Sequence, residues 1–323
     1  MSDYPPLTSI ALKVLFRHFT QYQELLEDLK QVQLLVSSDD VENYRQVDRD
    51  LFILKNLTEK SELWVHGDRH HSVEGKDHGE DKTVKLLIGE DRNLAAAALQ
   101  ELSDRTPLIA YPLIRQILVR LKKLCYKKDR PDSMNQQLLK NMRVYEVVLE
   151  FLSIPYDKKN DAEMPKLITL SHEFLRSFCK GNKENQSRLH KFISIEKDAK
   201  EGTLKVETSR NAVFLELLQS LVCIHDKEVE ASQDKVATEI CTASDEVRAL
   251  YVDNASFEQL EQMMKQAPPY LDNTHPLKYH IELVRLLALC TRGKNGSTEL
   301  KCASEIPMDH IVRVVTSPSC LTE

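Results

Sequence analysis

The chain has 323 residues, 41% hydrophobic and 29% charged, with 44 basic and 50 acidic side chains and a formal net charge of −6. The mixed, mildly acidic charge gives no reason to expect nucleic acid or an anionic membrane as a partner. Only 8 glycines and 6% aromatics, with much Leu, Lys, Glu and Gln, argue for long helices and against a strand-and-turn protein.

In chain order, Ile10–Val36 is the first amphipathic stretch, with Leu12, Leu15, Phe19, Leu25, Leu26 and Leu29 at helical spacing. Asp39-Asp40 reads as an N-cap region for a helix over Val41–Trp64, whose stripe is Val47, Leu51, Leu54 and Leu57. The stretch His66–Asp91 holds four of the glycines and His66, His70, His71 and His78, and reads as a mobile loop. Leu94–Leu102 and Leu108–Leu124 follow as helices, parted by a Thr106-Pro107 turn. Ser133-Met-Asn-Gln136 fits a capping box for one helix carrying Leu138, Met142, Tyr145, Val148 and Leu152 and ending before Pro155.

The segment His172–Ile193, HEFLRSFCKGNKENQSRLHKFI, is the most informative of the chain. It reads as the end of a helix over Met164–Lys180, a corner, and a second helix. Gly181 is the C′ residue, where a left-handed backbone costs least without a Cβ. Asn182 caps the next helix, which buries Leu189, Phe192 and Ile193. Glu196–Arg210 is a polar connector. Asn211–Ile224 is strongly apolar, and Glu216 interrupts it far short of the ~20 residues a membrane span needs. Ser256-Phe-Glu-Gln259 fits another capping box, Pro268-Pro269 stops that helix, Pro276 opens Leu277–Cys290, and Met308–Val315 is the last element.

The fold class expected is all-α, an armadillo-like helical-repeat solenoid, with a loose recurrence near ~40 to 47 residues. The divisions are helices over 1–65, a loop over 66–92, a helical region over 93–195, a connector over 196–210 and further helices over 211–323.

No segment carries a catalytic signature, so no catalytic, cofactor-binding or metal-ligating residue is assigned. His172-Glu173 lacks the second histidine of a zinc-protease helix, since Arg176 stands there. The cluster His66–His78 could chelate a divalent metal, yet reads better as a solvated loop. The run of seven cations from Arg115 to Arg130 could hold a phosphate or an acidic helix, yet reads better as a solvated face. Seven scattered cysteines, with no CxxC, imply a reducing compartment, and Cys179 and Cys290 behave as small hydrophobes. MSDYPPLTS has no signal-peptide pattern.

Ten segments resemble the inositol trisphosphate receptors. They are Asp3–Leu7, Leu15–Phe19, Lys30–Val36, Glu59–Val65, Gln136–Met142, Val147–Lys158, His172–Ile193, Tyr279–Asn295, Thr298–Cys302 and Asp309–Thr316. They stand in the family's order and span nearly the whole chain. Glu59–Val65 and Tyr279–Asn295 favour this family over the ryanodine receptors, which share the same homology domain. The resemblance implies a middle cytosolic solenoid segment of a tetrameric calcium release channel. That segment would lie on the cytosolic face of the endoplasmic reticulum, next to the channel's other domains and subunits, and insert nothing into the membrane. The family's ligand-binding cations lie upstream and its pore downstream, so neither activity is expected here. Two departures stand out: the loop His66–Asp91, and the stretch between Ile193 and Asn211, where the family carries a longer helical segment. The other reading is a free-standing helical-repeat adaptor that binds a partner peptide in a groove.

Overall fold

A computed structural model describes residues 9–18, 20–21, 37–65, 106–157, 160–192, 210–224, 227–245 and 247–318. The expectations for most of the stripe over 10–36, the loop His66–Asp91, the helix Leu94–Leu102, Ile193 and nearly all of the connector 196–210 lie outside these residues. Two compact units are present, Met1–Gln46 and Val47–Glu323.

In the first unit, residues 9–18 are helical and exposed. Ser37 and Asp40 form a reciprocal capping box. The Asp40 N–H donates to Ser37 Oγ at 3.1 Å, and the Ser37 N–H donates to Asp40 Oδ2 at 3.0 Å. That box opens α1 (Ser38–Glu59), a turn earlier than the start expected at Val41.

The second unit begins within α1, where Val47, Ile53, Leu54 and Leu57 are buried. The helix expected to run unbroken to Trp64 stops at Glu59, and a single turn, α2 (Glu62–Val65), follows. The break lets Trp64 fold back. Its indole N–H donates to Leu57 O at 2.8 Å, filling a carbonyl left open at the helix end. The ring meets Tyr111 edge-on at 5.2 Å and stacks on Phe151 at 6.4 Å.

The helix α3 (Thr106–Leu124) takes in the Thr106-Pro107 pair expected as a turn, because a proline in the first turn gives up an N–H that had no partner. Ile109, Leu113, Ile114, Ile117, Leu118 and Leu121 are buried at helical spacing. A two-residue ladder follows, β1 (Tyr126–Lys127) with β2 (Arg130–Pro131). Its turn residues Lys128 and Asp129 both have positive φ, the conformation a two-residue hairpin needs.

The single helix expected after Ser133 is two, α4 (Ser133–Asn141) and α5 (Val144–Leu152). Arg143, at φ +56°, turns the chain between them. Next come α6 (Met164–Cys179) and α7 (Lys183–His190), then α8 (Ala212–Val222). A second ladder pairs β3 (Cys223–Ile224) with β4 (Lys227–Glu228). The chain continues through α9 (Glu230–Thr242), α10 (Asn254–Lys265), α11 (Pro276–Cys290), α12 (Gly296–Glu305) and α13 (Met308–Thr316).

Both capping boxes expected from Ser-x-x-Gln are misplaced. Asp132, not Ser133, caps α4, accepting from the N–H groups of Met134 at 3.0 Å and Asn135 at 3.3 Å. Asp253 caps α10, accepting from the Ser256 N–H at 3.0 Å. In each case an aspartate stood a residue or a turn upstream, and its carboxylate accepts more strongly than a serine hydroxyl.

The architecture is all-α, with helices packed in series as in a solenoid. Along the spine α3 packs on α6, α6 on α8, and α8 on α11, while α9 packs on α11 and α12. One apolar cluster runs through these helices from Val47 to Cys302. A small second cluster joins Phe257, Leu260 and Leu277. Each fully buried Leu or Ile contributes about 1.5–3 kcal/mol, so the spine is the stable part of the molecule.

Candidate functional site

The corner between α6 and α7 is built as its residues demand. Gly181 sits at φ +71°. Asn182 is extended, and its side-chain oxygen accepts from the Asn185 N–H at 3.1 Å. The Asn185 amide then donates back to Phe178 O at 2.9 Å. The remaining carbonyls of the helix end are closed from α4. Gln136 is buried, and its Nε2 donates to Ser177 O and to Lys180 O, both at 3.0 Å. Its Oε1 accepts from Asn182 Nδ2 at 3.3 Å. A neutral amide suits this place because it offers two donors and an acceptor at once.

The same device occurs again. On α9, Gln233 is buried, and its Nε2 donates to Leu289 O and Arg292 O, both at 2.9 Å. Its Oε1 accepts from Asn295 Nδ2 at 3.4 Å. Gly293 turns the corner at φ +86°, and Thr298 Oγ1 donates to Cys290 O at 2.7 Å, in the role of Asn185. Each clamping helix follows a two-residue ladder, and each ladder is closed by a like bond: Asp132 N–H to Cys125 O at 2.8 Å, Val229 N–H to Val222 O at 3.1 Å. The chain therefore contains two copies of one module. In each, a spine helix, a hairpin and a glutamine helix lead to a second spine helix that ends in a glycine corner. This recurrence escaped the sequence reading. Its written trace is short: YKKDR against CIHDK, Gln136 against Gln233, and the corners KGN and RGKN.

The contact of α8 with α6 on one side joins the two modules, and its contact with α11 on the other lies within the second module. On the first side Phe214 packs on His172 at 5.1 Å, Asn211 Nδ2 donates to Thr169 Oγ1 at 2.5 Å, and Gln186 Nε2 donates to Ser220 O at 2.7 Å. Glu216 pairs with Arg176 of α6 and, at 3.9 Å, with Lys278 of α11. On the second side Gln219 Nε2 donates to Glu282 O at 3.0 Å and to its carboxylate at 2.9 Å. This joint is built from ring packing, amide hydrogen bonds and ion pairs.

His172 is a core residue, 3% exposed, and burial pushes its imidazole pKa down to about 4. The solvated-face reading of Arg115–Arg130 needs correction for Arg120 and Lys122, whereas Arg115, though paired, is exposed. Arg115 pairs with Glu163, Arg120 grips the buried Asp50 with two N–H groups, and Lys122 pairs with Glu173 at 2.6 Å. Carboxylates on neighbouring helices lie within reach of these long side chains, and Asp50, almost fully buried, needs a cation. Lys123, Lys127, Lys128 and Arg130 are exposed. Burial pushes the thiols of Cys125, Cys179 and Cys290 up and that of Cys302 up to about 11, so at neutral pH they are protonated and unreactive. The histidines of the cluster His66–His78 lie outside the described residues. Among the described residues no group of three or more His, Cys, Asp or Glu is placed to hold a metal ion. Among the same residues no helix is long and apolar enough to cross a membrane. A cavity of about 580 Å³ lies between the end of α1 and α5, lined by Leu149, Ile154 and Phe192 together with Glu59, Glu146 and Glu150.

Spine, clamps and joint together define a helical-repeat scaffold. No protein-family model matches the chain. The inositol 1,4,5-trisphosphate receptor itr-1 of Caenorhabditis elegans does match, 61% identical over 410 aligned residues that take in all of this chain and 14% of the receptor. The chain therefore belongs with the inositol trisphosphate receptors, as a segment. The aligned span exceeds the chain's own 323 residues, so the receptor carries extra residues within it.

Proposed function

We propose that this chain is a cytosolic structural and regulatory segment of an inositol trisphosphate-gated calcium release channel, on the cytosolic face of the endoplasmic reticulum. It passes ligand-induced motion towards the pore and is itself neither pore nor main ligand site. The observation that carries this reading is the 61% identity along the entire chain to a named receptor. The architecture supports it. Helices packed in series, each touching its neighbours, move as stiff bodies about their joints, and an armadillo-like array of this kind relays a tilt over distance. Its partners are the adjoining domains and subunits of a tetrameric assembly.

The test acts on the joint. In the intact receptor, Arg176→Glu places two carboxylates face to face at the contact of α6 and α8. Inositol trisphosphate binding should keep its affinity while calcium release from microsomes falls several-fold. Unchanged release would remove the transmitting role. A native polypeptide that is soluble and runs near the chain's own 37.2 kDa on an immunoblot would favour a free-standing adaptor instead.

A further inference from the structure

The two modules share one register. Gln136 holds the carbonyls of Ser177 and Lys180, Gln233 those of Leu289 and Arg292, and Gly181 and Gly293 follow in step. That register carries the residues of α6 onto α11. Thr169 corresponds to Ile281, His172 to Val284 and Arg176 to Ala288. On α6 these three positions are the face that α8 covers: Asn211 bonds Thr169, Phe214 lies on His172, and Glu216 pairs with Arg176. On α11 the same three positions are uncovered. Ile281 is 38% exposed and Val284 37%, and Ala288 is exposed too, whereas His172 is 3% exposed. Next to them on α12, Thr298 and Glu299 stand where Asn185 and Gln186 stand on α7, and Leu300 is 77% exposed.

We propose that this face of α11 is a docking surface for the first spine helix of a third module, supplied by the same polypeptide beyond this segment. The proposal rests on the reading of the chain as part of a longer receptor. Three observations identify the occupant. The face continues an interface that the molecule already makes once, between α6 and α8. In the series α3, α6, α8, α11 no helix among the described residues packs on that face of α11. The matching relative is far longer than the segment aligned to it. The substitutions also describe the helix that fits. Thr169 and Arg176 give polar anchors to α8 and His172 gives a ring for Phe214, whereas Ile281, Val284 and Ala288 offer only apolar surface, so the incoming helix is held by apolar side chains. Ala288 in place of a long arginine lets it approach closely. Glu299 puts a carboxyl group where the Gln186 amide donates, so the docked helix presents an N–H or a cation where α8 presents the Ser220 carbonyl.

Photocrosslinking in the intact receptor tests this. Val284→p-benzoylphenylalanine, irradiated in native membranes and mapped by mass spectrometry, should join to a helix of the same polypeptide outside residues 1–323. Arg176→p-benzoylphenylalanine serves as the positive control and should join to α8. With that control in place, a Val284 adduct to another polypeptide, an adduct only within this segment, or no adduct overturns the proposal. Calcium release takes no part in the readout, so the docking face and the transmitting role fail separately.

Discussion

Gln136 and Gln233 meet one need at two places, donors for the carbonyls at the end of a spine helix. Removing such a partner costs about 1–3 kcal/mol where the carbonyl is buried, as at Ser177. Gln136→Glu is the sharper probe. A carboxylate offers no donor to Ser177 O or Lys180 O, so the variant should be markedly less stable than the parent at pH 7. Burial beside carbonyls raises the folded pKa of the new glutamate above its unfolded value. Its penalty should therefore shrink as pH falls through that folded pKa. Urea midpoints at pH 7 and pH 5 check this, and equal losses at both pH values would contradict it. His172 gives a second pH effect. Its folded pKa, down at about 4, lies below the ordinary ~6.5, so the unfolded chain binds the extra proton. Stability from this group is complete above about pH 6.5 and is lost as pH falls towards 4, by up to about 1.4 kcal/mol per pH unit. His172→Phe should flatten this part of the pH profile, as calorimetry across pH 4.5–7 would show. The sequence reading gave His172 no zinc-binding role. It could not see that Gln136 was a clamp, because the carbonyls it serves are distant in sequence and a glutamine beside a serine looks like a cap.

At the scale of elements, local signals were legible where one residue type has one strong use. Gly181 and Asn182 made the corner, and Pro276 opened α11 as expected. Other boundaries failed where two caps competed. Asp132 caps α4 and Ser133 is its first residue, so Asp132→Ala should lower stability by about 1 kcal/mol while Ser133→Ala should change it by less than about 0.5 kcal/mol. Thermal melts of the two variants decide it, and the reverse order would restore the box read from Ser133 and Gln136. The breaks at Glu59 and Arg143 were illegible for another reason. Helical periodicity continues through both, and only tertiary contacts, such as Trp64 reaching Leu57 O, make the break favourable.

At the scale of the whole molecule, the all-α class followed from composition and periodicity, and the family from short segments in order. The duplication did not show, because its two copies share a hydrogen-bond scheme more than residues. Asn185 and Thr298, for example, serve the same carbonyl position. The series of helices gives α8 a spine neighbour on each side, α6 and α11. Leu218 on α8 is fully buried, and Leu218→Ala should cost about 2–5 kcal/mol. Amide protection should fall in both α6 and α11, since each loses the same support. Hydrogen exchange confined to one of them would show that the modules are stabilised independently.

The glycine corners have a consequence for inheritance. A Cβ added at Gly293 would stand 2.8 Å from Cγ of Glu228, at φ +86°, and Gly181 shares the left-handed backbone. Every single-base missense change of a glycine codon adds a Cβ. Neither corner thus has a neutral neighbour in the genetic code, and the two halves of the duplication can drift apart everywhere more easily than here.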